Sequence, residues 1–184
     1  EHNMSSILKV DQLQDSGGNA IITSDGSGNV TQNKTGITQA DLWRLSTDKS
    51  ADADPLTDLE RADDPSGGII GTGMSESSGV FTFPSTGIYL IQFTLQATTA
   101  SDSAGMTIHI STDSGSSYDE VARVFNGGND SRNNNASSFA LIDVTDISTF
   151  RFKSKLISIA GTTVVHGTST TNETCITFIR LGDT

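Results

Sequence analysis

The stretch from Gly79 to Ala97, GVFTFPSTGIYLIQFTLQA, leaves the backbone few choices. From Tyr89 onward, Ile91, Phe93, Leu95 and Ala97 recur at every second position, with Gln92, Thr94 and Gln96 between them. Period two belongs to an extended strand with one face buried. Just before it stand Pro84, which cannot donate to a central ladder, and Gly87, which tolerates positive φ, so two strands must meet at a turn there.

The rest of the chain suits the same class. Hydrophobic residues make up 34% of its 184 residues and aromatics 6%, while Gly, Ser, Thr, Asn and Asp dominate, which favours many short strands and tight turns over helices. Twenty-two acids against 11 bases give a net charge of -11, which argues against nucleic acid and anionic lipid as partners. No apolar run is long enough to insert into a membrane, and no basic and apolar leader marks secretion. Glu1, His2 and Asn3 precede Met4, the expected natural start. Cys175 is the single cysteine, so stability must come from packing or association rather than from a disulfide within the chain.

Residues 1–38 hold few apolar side chains, in small groups around Leu13 and Ile21 to Ile22, too few to fold alone. They read as an attachment arm or stalk, either flexible or ordered by packing on copies of itself. Residues 39–184 carry the core. ADLWRLS (Ala40 to Ser46) suits a first strand, with Trp43 as a core anchor. Thr47 to Gly68 is an acidic loop with one weak strand at Leu59 to Ala62; Asp52, Asp54 and Asp58 are its candidate calcium ligands, although the full calcium-loop pattern is absent and a solvated loop is the plainer reading. GGIIGTGM (Gly67 to Met74) reads as a glycine-rich connection.

In GMTIHISTD, Met106, Ile108 and Ile110 point inward, with Thr107, His109 and Ser111 outward. NGGNDSRNNNASS (Asn126 to Ser138) reads as a long polar loop, and Asn129, Arg132, Asn133 and Asn134 are its candidate receptor contacts. TFRFKSKLI sets Arg151, Lys153 and Lys155 on one face as a basic stripe, expected to pair with acids of a neighbouring strand or subunit. The last strand, CITFIRL, is apolar on both faces: Ile176 and Phe178 on one, Cys175, Ile179 and Leu181 on the other. Such a strand is covered on both sides. A two-sheet sandwich covers only one, and the simplest second cover is another copy of the chain.

Phe81, Gly87, Tyr89, Ile91 and Phe93, an aromatic followed after five residues by Gly-x-Tyr and alternating large apolar residues, resemble the signature of the C1q and tumour-necrosis-factor superfamily. Ile91 stands where that family usually has an aromatic. The resemblance implies an antiparallel two-sheet jelly-roll sandwich, C1q-like, assembled as a homotrimer, with Tyr89, Ile91, Phe93, Ile176, Phe178 and Ile179 in the core or at the trimer interface. The phrase ILKVDQLQDSGGNAIITSDGSGNV is similar to the opening of tailed-bacteriophage fibre and appendage proteins. That implies a location in the virion, partners among other virion proteins through the arm, and a host-surface glycan as the receptor class.

Little in the sequence points to catalysis. His109 and His166 lack metal spacing, no Gly-x-Ser-x-Gly elbow occurs, and Cys175 has no neighbouring cation to make it a thiolate. The expectation is a non-enzymatic virion protein, a fibre, knob or head-surface appendage, with no cofactor unless calcium in the acidic loop. A secreted or cell-surface C1q-like module that binds carbohydrate or another ligand is the alternative.

Overall fold

The computed structural model describes residues 10, 12–32, 36–63, 67–99, 103–127 and 132–184, and all its regular elements are strands. The chain divides into two compact units, Glu1–Thr38 and Gln39–Thr184. The first holds β1 (Gln12–Gln14), β2 (Ala20–Ser24) and β3 (Val30–Gln32), an antiparallel meander in the order β1-β2-β3. None of residues 10, 12–30 and 36–38 is buried.

The second unit is built from two antiparallel sheets. The larger contains β4 (Ala40–Leu45), β5 (Thr47–Lys49), β6 (Leu59–Arg61), β7 (Ile69–Ile70), β10 (Gly87–Thr98), β13 (Asn133–Val144), β15 (Val164–Thr168) and β16 (Cys175–Gly182). Its order is β5-β15-β10-β16-β4-β6, with β13 along the other edge of β10 and β7 beside β4. The smaller runs β12-β11-β14-β9-β8, where β8 is Ser75–Ser77, β9 Val80–Thr82, β11 Ser103–Ser111, β12 Asp119–Gly127 and β14 Arg151–Ile157. β10, the strand marked by period two, pairs with β13 from Gly87↔Val144 to Thr98↔Asn133.

The sheets meet through aromatic side chains. Phe81 is fully buried, with ring centroids 5.1 Å from Trp43, 5.6 Å from Phe152 and 5.5 Å from Phe178. Phe152 from the smaller sheet meets Phe178 from the larger edge to face at 5.0 Å. Tyr89 packs on Phe83, and its hydroxyl lies 3.0 Å from the Ser85 carbonyl and 3.1 Å from Gln39 Oε1, which satisfies its one polar atom inside the core. Gly87 starts β10 at φ 141°, and a Cβ there would stand 2.5 Å from both Arg180 Nε and the Gly182 carbonyl. Only glycine allows β16 to come this close.

A buried carboxylate ties the segment after β6 to β4. Asp41 accepts hydrogen bonds from Trp43 Nε1 (2.8 Å), Arg61 Nε (2.8 Å) and Nη2 (3.1 Å), and the Met74 amide (2.7 Å). The Arg61 guanidinium also lies over the Trp43 ring at 4.7 Å. Beside it, buried Arg44 donates to Glu60 (2.8 Å) and Asp63 (2.7 Å). Burying a charge is tolerable only when it is paired and bonded in this way.

Some expectations need correction. Thr107, His109 and Ser111 do lie on the face of β11 opposite the core residues, yet all three are buried. They are flanked in register by Arg123, Glu120, Lys155, Lys153 and Arg151, long side chains that screen them from water. Ile69–Ile70 in the glycine-rich connection forms a short strand against β4. Asn133 and Asn134 belong to β13, opposite Thr98 and Ala97, because the ladder outweighs the turn preference of asparagine.

Replacing Asp41 with Ala leaves Arg61 and two other donors facing an unpaired site. The expected loss of stability is about 3–5 kcal/mol. Urea unfolding followed by Trp43 fluorescence measures it; a loss below about 1 kcal/mol would be that of an exposed pair and would contradict the buried network.

Candidate interaction face

The outer surface of the larger sheet can be read directly from its register, because directly opposed residues share a face. One row runs Leu141, Leu90, Ile179, Ala40 and Ile70; the next runs Phe139, Gln92, Thr177 and Leu42. Phe139 is 64% exposed and Leu141 60%, and Ile70, Ile88 and Leu181 are also exposed, while Leu42, Leu90 and Ile179 are half-buried. A shallow cavity of about 260 Å³ opens among Leu90, Gln92 and Phe139. A contiguous apolar surface spread over several strands marks an interaction site rather than ordinary protein surface.

The far end of this face is polar. Thr98 Oγ1 donates to Asn133 Oδ1 (2.6 Å) and lies 2.7 Å from His166 Nε2; His166 Nδ1 stands 3.6 Å from Asp48 Oδ1, which accepts the Gly167 amide (3.0 Å). The order carboxylate, imidazole, hydroxyl superficially matches a nucleophilic triad. The Thr98 proton, however, is committed to an amide oxygen, so the hydroxyl is a structural link between β10 and β13 and not an activated nucleophile.

The residues proposed for the core or interface separate cleanly. Tyr89, Ile91, Phe93, Ile176 and Phe178 are buried between the sheets, and Ile179 lies on the outer face. Ile88, Leu90, Phe139 and Leu141 join Ile179 there and were missed. The signal was present, since the run Phe139-Ala140-Leu141-Ile142 is apolar at both alternations, as in β16.

Asp52, Asp54 and Asp58 do not converge. Asp52 accepts the Ile159 amide (2.7 Å), Asp58 pairs with Lys49, and Asp54 is held by Lys153 and Lys155 (2.8 Å each). Of the basic stripe, Lys153 and Lys155 therefore meet the expected acid in Asp54, while Arg151 donates to the carbonyls of Ile147, Ser148 and Phe150; the three carboxylates are engaged separately instead of gathering as a calcium cage. Among the described residues no group of His, Cys, Asp or Glu is placed to hold a metal. Of the receptor-loop candidates, Asn129 lies outside the described residues, Arg132 immediately precedes β13, and Asn133 and Asn134 open that strand. Cys175 sits half-buried on the outer face of β16, where burial pushes its thiol upward, as for an unreactive side chain. No helix among the described residues is long and apolar enough to cross a membrane.

No protein-family model matches the sequence, and no curated protein matches it. Solved structures do. Eiger TNF from S. frugiperda aligns with a TM-score of 0.60 at 16% identity, covering 79% of this chain and 93% of its own. Murine APRIL at pH 5.0 aligns at 0.59 and 11% identity, and murine APRIL at pH 8.5 at 0.57 and 12%; each alignment covers 78% of this chain and 98% of the other. At such low identity the likeness establishes the fold: an all-β, antiparallel jelly roll of the tumour-necrosis-factor-like kind, as the motif from Phe81 to Phe93 implied.

On the smaller sheet, His109 is 6% exposed, its Nε2 lies 2.9 Å from Thr107 Oγ1, and its Nδ1 is buried without a partner among the described residues. Burial pushes the imidazole below its usual range; Lys155 and Lys153 add to this, and Glu120 and Asp54 oppose it. The fold therefore holds His109 neutral. As pH falls below the unfolded value near 6.5, the unfolded chain gains a proton that the folded one refuses, and stability drops by at most about 1.4 kcal/mol per pH unit until the folded pKa is passed. Urea midpoints between pH 7 and 5 should show this slope in the native chain and a shallower one in His109→Gln. Equal slopes would contradict a neutral, buried His109.

Proposed function

We propose that this chain is a non-enzymatic structural protein of a tailed-bacteriophage virion, a fibre, knob or head-surface appendage that displays a homotrimeric jelly roll for attachment to the host surface. The observation that carries it is the uncovered apolar face formed by β13, β10, β16 and β4, with Phe139 and Leu141 largely exposed in the single chain. A second and a third copy are the simplest cover, because every copy brings the same surface and cyclic assembly closes without leaving one free. The tumour-necrosis-factor-like fold and the C1q-type motif support three as the number. The particle assignment is supported by the similarity of residues 7–30 to phage appendage proteins. In this reading the loops at the end of the sandwich, including the segment around Arg132, face a host-surface glycan, and the arm meets other virion proteins.

This reading needs no calcium, since Asp52, Asp54 and Asp58 are engaged within the chain. Light scattering should give three times 19.3 kDa, unchanged by chelator. Leu141→Asp should fall to monomer with its β-sheet circular dichroism intact, because position 141 faces outward, whereas Ile91→Asp should fail to fold. A native monomer would refute the assembly, and a trimer indifferent to Leu141→Asp would refute this face as its interface. The gene should lie among those for capsid and tail proteins; a secretory leader in a neighbourhood free of virion genes would favour the secreted binding module instead.

A further inference from the structure

We infer that residues Gln12 to Gln32 form a trimeric stalk, in which the apolar faces of three copies of the meander pack on one another; this rests on the trimeric reading above. The two hairpin turns are the same device used twice. Asp15 Oδ1 accepts the amides of Gly17 (2.8 Å) and Asn19 (2.9 Å), and Asn19 Nδ2 returns to Asp15 Oδ2 (3.0 Å). Asp25 does likewise with Ser27 (2.8 Å), Asn29 (3.1 Å) and Asn29 Nδ2 (2.6 Å). Gly18 (φ 82°) and Gly28 (φ 93°) occupy the same left-handed position in each turn. These turns fix the register: Leu13 pairs with Ile22 and Val30 with Ser24, so Leu13, Ile22 and Val30 share one face with Ser24, while Gln12 and Thr23 share the other with a single large apolar side chain, Ile21.

That apolar face is open. Val30 is 60% exposed and Leu13 49%, and a unit of this size cannot build a core by itself. Charge selects the cover. The chain is strongly acidic, yet β1, β2 and β3 contain no charged residue, and the only charges between residues 12 and 32 are Asp15 and Asp25 in the turns. Copies of the meander can therefore meet face to face without like-charge repulsion, and the jelly rolls hold them at an effective concentration of about millimolar.

Single cysteines placed in the full chain on a Cys175→Ser background test this. Leu13→Cys or Val30→Cys should crosslink between chains under mild copper-phenanthroline oxidation, and the monomer band should fall to about one third, since three thiols around one axis leave one unpaired. Gln12→Cys and Thr23→Cys, on the opposite face, should stay monomeric on the gel. Equal crosslinking of the two faces, or none on either, in a chain whose mass is trimeric overturns the stalk and leaves the trimeric jelly roll standing. Complete loss of the monomer band signals twofold pairing and overturns the threefold stalk. A monomeric mass overturns both readings.

Discussion

The edge-to-face contact of Phe152 with Phe178, with Phe81 against both, is the point on which the sandwich depends. It is where the smaller sheet touches the larger, and it fixes which face of every strand is inside. Aromatic pairs of this kind add specific geometry to a large burial of apolar area, so truncating any one of the three would leave a cavity that both sheets share. Once Phe178 points inward, Ile179 must point outward, and the same alternation carries Leu90, Phe139 and Leu141 to the outer surface beside it. The core therefore dictates the exposed face.

That face makes the isolated chain look unfinished. The acidic and basic features elsewhere are settled internally: Asp54 between Lys153 and Lys155, Arg44 on Glu60 and Asp63, Asp41 among its donors. These charged groups have found partners within one copy, while a band of large apolar side chains has not. The proposed association among copies would resolve that imbalance. The meander of the first unit repeats the situation on a smaller scale, with Leu13 and Val30 open to water.

Much of this was legible before the strands were placed. The period-two run from Tyr89 and the strand CITFIRL carry their own structural information, and the two-sided apolar character of β16 already asked for a second cover. Ile88 and Leu90 were harder to read because they occupy alternate positions otherwise filled by Gln and Thr, and a pattern judged by its majority hides them. Asp54 and Lys153 are 99 residues apart, so the basic stripe called for an acidic partner without identifying it, and Asp54 read instead as a candidate calcium ligand. Asn133 and Asn134 favour turns in isolation, but a strand as long as β10 supplies a ladder that overrides the preference. The matched turns at Asp15 and Asp25 become recognisable as one device only through their hydrogen bonds.

The central claim is that the outer face of the larger sheet is buried in the working assembly. Hydroxyl-radical footprinting of the native protein, read residue by residue by mass spectrometry, tests it without any substitution. The account predicts strong protection of Leu90, Phe139 and Leu141, against free labelling of Phe125, which is exposed on the smaller sheet. Labelling of Phe139 and Leu141 in line with their exposure in the single chain would contradict it.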